Sequence, residues 1–294
     1  MIVIAANPYR GAVRPRERVQ TLAAAIASTG TPVRVVWDAA ERGRLLGDPR
    51  ALAGVRCVVA AGGDGTVASV INELAADVPL AVFALGNENL FARALGLPAD
   101  PIVLARAIVA GRTRRLDLGR ATTSAGSRRF GLMLSAGFDA DVIHRIARRR
   151  SAGGTARRVS RLSYLAPIAT ALCAYGHRVV AVAADGVGCH GAYCVVSNLP
   201  EYALALSLTP AARGDDGVLD WLAFERGGVP ALAAYAWAVR RARHHSLAHV
   251  RSGRARRLTL TSATPVPVQL DGDPWGFTPA EVEVQPGALA VVVV

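Results

Sequence analysis

The chain has 294 residues, enough for roughly two domains of ~150 residues, each with its own hydrophobic core. All 34 basic residues are arginine and the formal net charge is +12, which favours anionic partners: nucleotides, nucleic acid or an anionic membrane surface. No apolar run reaches the ~18–20 residues a membrane-spanning helix needs, and the Met1–Ala6 start lacks a basic leader, so the sequence predicts a cytoplasmic protein. Cys57, Cys173, Cys189 and Cys194 show no C-x-x-C spacing, and they read as buried thiols rather than a zinc site or disulfide framework.

In chain order, the first ~118 residues alternate short apolar strands with helical patterns. Strands are predicted at Ile2–Ala6, Val33–Trp37, Val55–Ala61 and Leu80–Leu85, and helices near Arg16–Ser28, Val67–Ala75, Glu88–Leu95 and Pro101–Ala110. Such alternation signals an α/β domain with a parallel sheet, in which ligands sit beyond the carboxyl ends of the strands. Asn7–Gly11, Gly62–Thr66 and Gly86–Asn89 all fall at that edge.

The second of these loops is the most informative. Cys57–Ala61 opens into Gly62-Gly63-Asp64-Gly65-Thr66 and then into an apolar-periodic helix. Glycines there allow positive φ and close approach to a ligand, and the first helical turn offers free N–H groups to phosphate oxygens. A carboxylate at Asp64 repels such a ligand unless it faces a donor, a metal ion or a nucleotide hydroxyl. With no lysine in the chain, neither a Walker A loop nor a protein-kinase site can be built. Gly63-x-Gly65-x-x-Ala68, with Glu88 about twenty residues on, also satisfies a weak dinucleotide fingerprint, and a ligand-free strand-to-helix turn uses the same residues.

From Arg115 the rhythm changes to short β-like runs: Arg129–Ser135, Arg178–Ala184, Gly191–Ser197, Ala203–Thr209, Val218–Phe224, Arg257–Thr261, Pro267–Leu270, Glu281–Val284 and Ala288–Val294. They predict an antiparallel β-sandwich over residues 119–294, following an α/β domain over 1–118, with the return of a last strand to the first domain left open. Two arginine-rich helical insertions interrupt it, Ala140–Gly176 and Val229–Arg251, and Ala152–Thr155 is its expected loop. The interleaved Ile143, Ile146, Leu162, Tyr164, Leu165, Trp237 and Leu247 suit docking on anionic lipid. Aromatic residues, at 5%, are too few for base stacking, which disfavours nucleic acid. His245 and His249 lie at i, i+4 beside His244, but no interleaved glutamate or third ligand accompanies them. Asp216-Gly217 and Asp271-Gly272, taken singly, are ordinary hairpin-turn signatures.

Taken in order, seven blocks resemble the diacylglycerol kinase catalytic family, which includes bacterial soluble lipid kinases and the sphingosine and ceramide kinases. The first four are Asn7-Pro8-x-x-Gly11, Gly62–Thr66, Leu85-Gly86-x-x-Asn89-x-x-Ala92-Arg93 and Leu116-Asp117-Leu118-Gly119. Gly137-Phe138-Asp139-Ala140, Pro210-x-Ala212-x-x-x-Asp216-Gly217 and Asp271-Gly272-Asp273 complete the set. The resemblance implies transfer of phosphate from ATP to a lipid hydroxyl such as that of diacylglycerol, with the nucleotide between the α/β domain and the sandwich. By the same resemblance Asn7, Pro8, Gly11, Gly62, Gly63, Asp64, Gly65, Thr66 and Asn87 would hold ATP. Asp216, the carbonyls of Arg213 and Val218, and nearby Asp117 would serve Mg2+. Asp273 would be the general base, normally a glutamate, with Asp271 and Asp64 in the catalytic set; Arg10 and Arg93 would neutralise phosphate. A cytoplasmic enzyme visiting the membrane peripherally follows, its oligomeric state open. An NAD-kinase-like enzyme, or a relative that binds nucleotide or lipid without turnover, would use the same loop.

Overall fold

The Ile2–Ala6 and Cys57–Gly62 runs are apolar at every position because both faces of the sheet they build are covered, which is the signature of a parallel sheet flanked by helices. The computed structural model describes residues 1–7, 13–152, 179–203 and 206–294. Two units emerge, Met1–Leu118 with Pro286–Val294, and Gly119–Gln285.

In the first unit, β1 (Ile2–Ala6), β2 (Val33–Val36), β3 (Cys57–Gly62) and β4 (Leu80–Ala84) pair in parallel in the order β2-β1-β3-β4. The end of β16 (Ala280–Val292) continues the sheet, parallel to β4 at Val291 and Leu80. Five helices accompany these strands: α1 (Val13–Ala27), α2 (Ala39–Leu46), α3 (Asp64–Glu73), α4 (Leu90–Ala94) and α5 (Pro101–Ala110). Ile2, Ile4, Val59 and Phe83 pack on Leu22 and Ile26 of α1 and Leu104 and Ile108 of α5. The alternate residues Val3, Ala5, Val58 and Ala60 are equally buried, and α3 packs along β3. Helix α5 starts where Asp100 accepts from Ile102 and Val103 N–H at 2.7 and 3.0 Å with Pro101 at the first position, and ends at Gly111 with φ 67°.

The second unit contains two antiparallel sheets. One runs β12 (Val250–Ala255), β11 (Leu219–Phe224), β10 (Tyr193–Ser197), β7 (Met133–Gly137), β14 (Pro267–Leu270), β15 (Asp273–Phe277). The other joins the start of β16 to β13 (Arg257–Thr261), β8 (Val180–Ala184) and β9 (Val187–Gly191). A further hairpin pairs β5 (Thr113–Thr123) with β6 (Gly126–Phe130). Leu134, Cys194, Val196, Trp221 and Val268 meet Val182, Leu258, Leu260 and Val282 in the sandwich core. Residues of opposite parity, Tyr193, Val195, Leu222 and Phe224, pack against Tyr235 and Val239 of α7 (Val229–Arg240). Helix α6 (Phe138–Ala152) lies on β14 and β15.

The architecture is the expected α/β unit followed by an antiparallel sandwich with helical insertions, with differences in detail. The strand expected at Arg129–Ser135 breaks at Gly131 and Leu132, so β6 and β7 enter different sheets. Among the described residues of the strand expected at Ala203–Thr209, Leu206 makes an isolated bridge to Tyr202, and residues 204–205 lie outside the described residues. Glu281–Val284 and Ala288–Val294 belong to one long strand, β16, and the second insertion ends at β12 rather than continuing as helix. Within the first insertion the structure describes α6; residues 153–178, with most of the expected loop, lie outside the described residues. No helix among the described residues is long and apolar enough to cross a membrane.

Candidate functional site

Strand β3 delivers Gly62 and Gly63 to the start of α3. Gly63 is the N-cap, with φ −92° and ψ −174°, and has no side chain to cap the helix. Thr66 and Val67 N–H bond to Gly63 O at 2.9 and 3.2 Å and Asp64 N–H turns to its own carboxylate, so the open donor of the first turn lies at Gly65. The expected positive φ is found at none of Gly62, Gly63 and Gly65. Glycine is required for a different reason, close packing, within the turn at Gly62 and between loops at Gly86. A Cβ on Gly62 would lie 2.3 Å from Thr66 Oγ1, and one on Gly86 would lie 2.6 Å from the Cα of Gly63. At exposed Gly65 a Cβ would meet nothing within 4 Å, which leaves room for a ligand.

The loop after β4 is tied to this turn. Asn89, in the left-handed region at φ 51°, accepts from Gly86 N–H at 2.8 Å and donates back to Gly86 O at 2.9 Å. Asp64 faces a donor: its Oδ1 accepts from Phe91 N–H at 3.1 Å, at the start of α4. Burial lifts the Asp64 carboxyl above the usual carboxylate range, against the pull of the N–H groups at 89–91. Asn7 continues the β1–β3 pairing by donating its N–H to Ala61 O, and its side-chain Nδ2 donates to Thr66 Oγ1 at 3.4 Å. Exposed Asn87 stands in the same β4–α4 loop, and exposed Arg93 lies on α4. Pro8, Arg10 and Gly11 lie outside the described residues. An uncapped helix start, an open Gly65 and neutral polar groups at Asn7, Thr66 and Asn87 fit the phosphates of a nucleotide.

In the second unit, β14 and β15 form a hairpin closed by Asp271 and Gly272, at φ 50° and 86°, and Asp273 begins β15. Asp271 Oδ2 accepts from Gly131 N–H at 2.7 Å, and Oδ1 from Leu132 and Met133 N–H at 2.9 Å each. Its carboxylate is therefore committed to the break between β6 and β7. Burial pushes its carboxyl up to about 6, while the three N–H groups pull the other way. Asp273 is half exposed; Arg128 donates to its Oδ2 at 3.0 Å while lying over the Trp275 ring at 5.1 Å. Below the turn, Gln269 Oε1 accepts from Gly272 N–H at 2.7 Å, and its Nε2 donates to Ser135 Oγ and Asp139 Oδ2 at 2.9 and 3.2 Å. Ser135 Oγ donates to the same Asp139 oxygen at 2.7 Å, and burial raises that carboxyl.

The residues expected to hold Mg2+ are arranged otherwise. Asp216 forms an ion pair with Arg254 and accepts from Val218 N–H at 3.3 Å, while the Arg213 side chain pairs with Asp215 at 3.3 Å. Asp117 is buried, and its Oδ1 accepts from Gly287 N–H at 2.7 Å, tying β5 to the end of the chain. One carboxylate with two carbonyls is a donor set of the hard-cation kind, but a guanidinium already holds that carboxylate, so these residues do not fit a divalent ion as they stand. Among the described residues no three His, Cys, Asp or Glu side chains cluster as metal ligands. His244 and His245 both direct Nε2 at Leu208 O, at 2.8 and 3.0 Å, and His249 lies against Tyr235. Arg128 and Gln269 carry no local sequence signal, and Arg254 stands in the sequence only as one of the arginines between Arg240 and Arg257, since each acquires its role from a partner far along the chain.

Residues 1–121 match the diacylglycerol kinase catalytic domain, and residues 133–293 match the YegS C-terminal NAD kinase beta sandwich-like domain. A diacylglycerol kinase of Mycobacterium tuberculosis is 29% identical over 246 residues, covering 81% of this chain and 77% of the relative. A probable lipid kinase, YegS-like, of Pseudomonas aeruginosa is 27% identical over 292 residues, covering 94% and 89%. The crystal structure of a diacylglycerol kinase from Bacillus anthracis superposes with a TM-score of 0.70 at 15% identity, covering 100% of this chain and 96% of that one.

Proposed function

The chain belongs to the diacylglycerol kinase family, with its YegS-type C-terminal domain, and on that premise we propose that it transfers the γ-phosphate of ATP to the hydroxyl of a lipid. The observation that carries this reading is Asp273, a carboxylate at the end of a turn fixed from three directions. Asp271 fastens that turn to 131–133, Gln269 holds Gly272, and Arg128 holds Asp273 Oδ2. The other Asp273 oxygen then receives the proton of the lipid hydroxyl as its oxygen attacks the γ-phosphorus. The bond from phosphorus to the β-phosphate oxygen breaks and ADP leaves. Asp64 and Asp271 act by holding backbone, and Asp273 carries the proton.

In the first unit, the α3 start with Gly65, Asn7, Thr66 and Asn87 receives the ATP phosphates. A divalent ion would come with the nucleotide as its counter-ion and would neutralise phosphate charge. A cavity of about 340 Å³, lined by Asp141, His144, Arg145, Arg148, Pro267 and Phe277, opens beside the β14–β15 hairpin and is assigned to the acceptor's head. Exposed Arg148 and Arg149 on α6, and exposed Trp237 with Arg241 lying 4.3 Å over its ring, form the faces that meet an anionic membrane.

Incubation with γ-labelled Mg·ATP and mixed micelles of diacylglycerol, sphingosine, ceramide or phosphatidylglycerol tests the proposal, with NAD as the non-lipid control. A labelled lipid supports it and names the acceptor. Label in NAD alone, or no product despite ATP binding, overturns it.

A further inference from the structure

We propose that Arg254 is the resident cation of the acidic turn at residues 213–220, so that this turn is built without a divalent ion. Strand register places the arginine there. Asp220 on β11 and Arg254 on β12 are direct partners in a six-residue antiparallel ladder. The neighbouring Gly253 admits the Trp221 ring so closely that a Cβ would lie 2.9 Å from it, which fixes β12 against β11. From that position Arg254 Nη2 pairs with Asp216 Oδ2, and Nε lies 3.8 Å from Asp220 Oδ2. Asp220 is only 8% exposed, and its Oδ2 has no hydrogen-bond donor of its own. One guanidinium thus bridges two carboxylates that would otherwise repel each other, and the third acid, Asp215, is paired with Arg213.

A magnesium ion held by Asp216 at ~2.0–2.1 Å would stand beside a fixed positive charge that already holds one of that carboxylate's two oxygens. The two cations therefore compete for Asp216 and repel each other. Because arginine stays protonated at any physiological pH, its neutralisation of the turn does not vary with the supply of free metal. This inference concerns the fold of the turn and stands apart from the kinase reading, so it is tested without ATP or lipid.

The full chain is melted in EDTA and in excess Mg2+, and Mn2+ binding is followed by electron paramagnetic resonance. The expected wild-type result is one melting temperature in both buffers and no Mn2+ site that depends on Asp216. Arg254→Met should melt lower in EDTA and regain stability with Mg2+. It should also bind Mn2+ roughly tenfold or more tightly than wild type, an increment removed by adding Asp216→Asn. The proposal is overturned if wild type loses stability in EDTA and recovers it with Mg2+, or binds Mn2+ at a site lost in Asp216→Asn. It also falls if Arg254→Met neither loses stability nor gains Mn2+. Should that variant fail to fold in both buffers, wild type decides alone: absence of an Asp216-dependent Mn2+ site supports the proposal and its presence refutes it.

Discussion

Asp64 and Asp271 are both motif aspartates next to glycines, and both direct their carboxylates at backbone N–H groups of another segment, yet they hold very different structures. Asp64 takes Phe91 N–H at the start of a five-residue helix, and the loops it joins approach closely because Gly86 has no side chain. Asp271 takes three consecutive N–H groups, and its turn is supported further by Gln269, Ser135 and Asp139. The loop proposed to admit a phosphate is held by steric fit and stays open at Gly65. A turn that must aim one carboxylate is held by a polar network in which every member has a partner. On the proposed reading neither Asp64 nor Asp271 carries the reaction: each holds backbone, and Asp273, on the far side of Gly272, takes the proton.

The largest expected effect separates aiming from chemistry. Asp273→Asn should lower kcat for lipid phosphorylation by about 10²–10⁴-fold, the worth of a positioned base, with stability changed by less than about 1 kcal/mol because the side chain is half exposed. Full activity in that variant would remove Asp273 from proton transfer. Asp271→Ala should act in the opposite way. It strands three N–H groups, and urea unfolding should show a loss of about 3–5 kcal/mol, with activity lost as a consequence.

A pH series sharpens the contrast further. The Asp271 carboxyl is raised from 3.8 to about 6 in the folded chain, so the folded state binds this proton more tightly than the unfolded one. Its contribution is therefore full below about pH 4 and is lost as pH rises through about 6, by up to about 3 kcal/mol. Comparing urea midpoints across that window, Asp271→Asn should show a flatter profile than wild type. An unchanged slope would mean that the three N–H groups offset burial at this carboxyl.

How much of this was legible before the structure depended on sequence distance. The strands of the first unit were readable because burial on both faces leaves unbroken apolar runs. Strand β12 was hidden because Val250–Ala255, with two arginines, a serine and a glycine, is an edge strand with much of its surface in solvent, and it reads like the end of an arginine-rich helix. Strand β15 was hidden by Pro274 and Gly276, which break any alternation. Helix α2 carries a start signal in its sequence: Asp38 accepts from Glu41 N–H at 2.8 Å, an acid cap with a glutamate three residues on. Asp273 could be singled out by its motif. Arg128, which holds it, is 145 residues away, and the Gln269 and Ser135 pair spans 134, so no local pattern encodes either partnership.

The smallest predicted effect bears most directly on the glycine side of the comparison. If Gly86 is glycine because two loops touch, Gly86→Ala must push its Cβ against the Gly63 backbone, 2.6 Å away, and overpacking of that kind costs ~1–3 kcal/mol. If Gly65 is glycine because a ligand approaches, Gly65→Ala should leave unfolding unchanged within about 0.5 kcal/mol, since its Cβ points into open space. The same methyl should nonetheless weaken ATP binding, measured by calorimetry on the folded variant, because it fills the place where phosphate meets the α3 start. The pair dissociates stability from affinity with one methyl group each. A Gly65→Ala protein that binds ATP as wild type does would place the phosphates elsewhere, and a Gly86→Ala protein of undiminished stability would show that the β4–α4 loop yields at no cost.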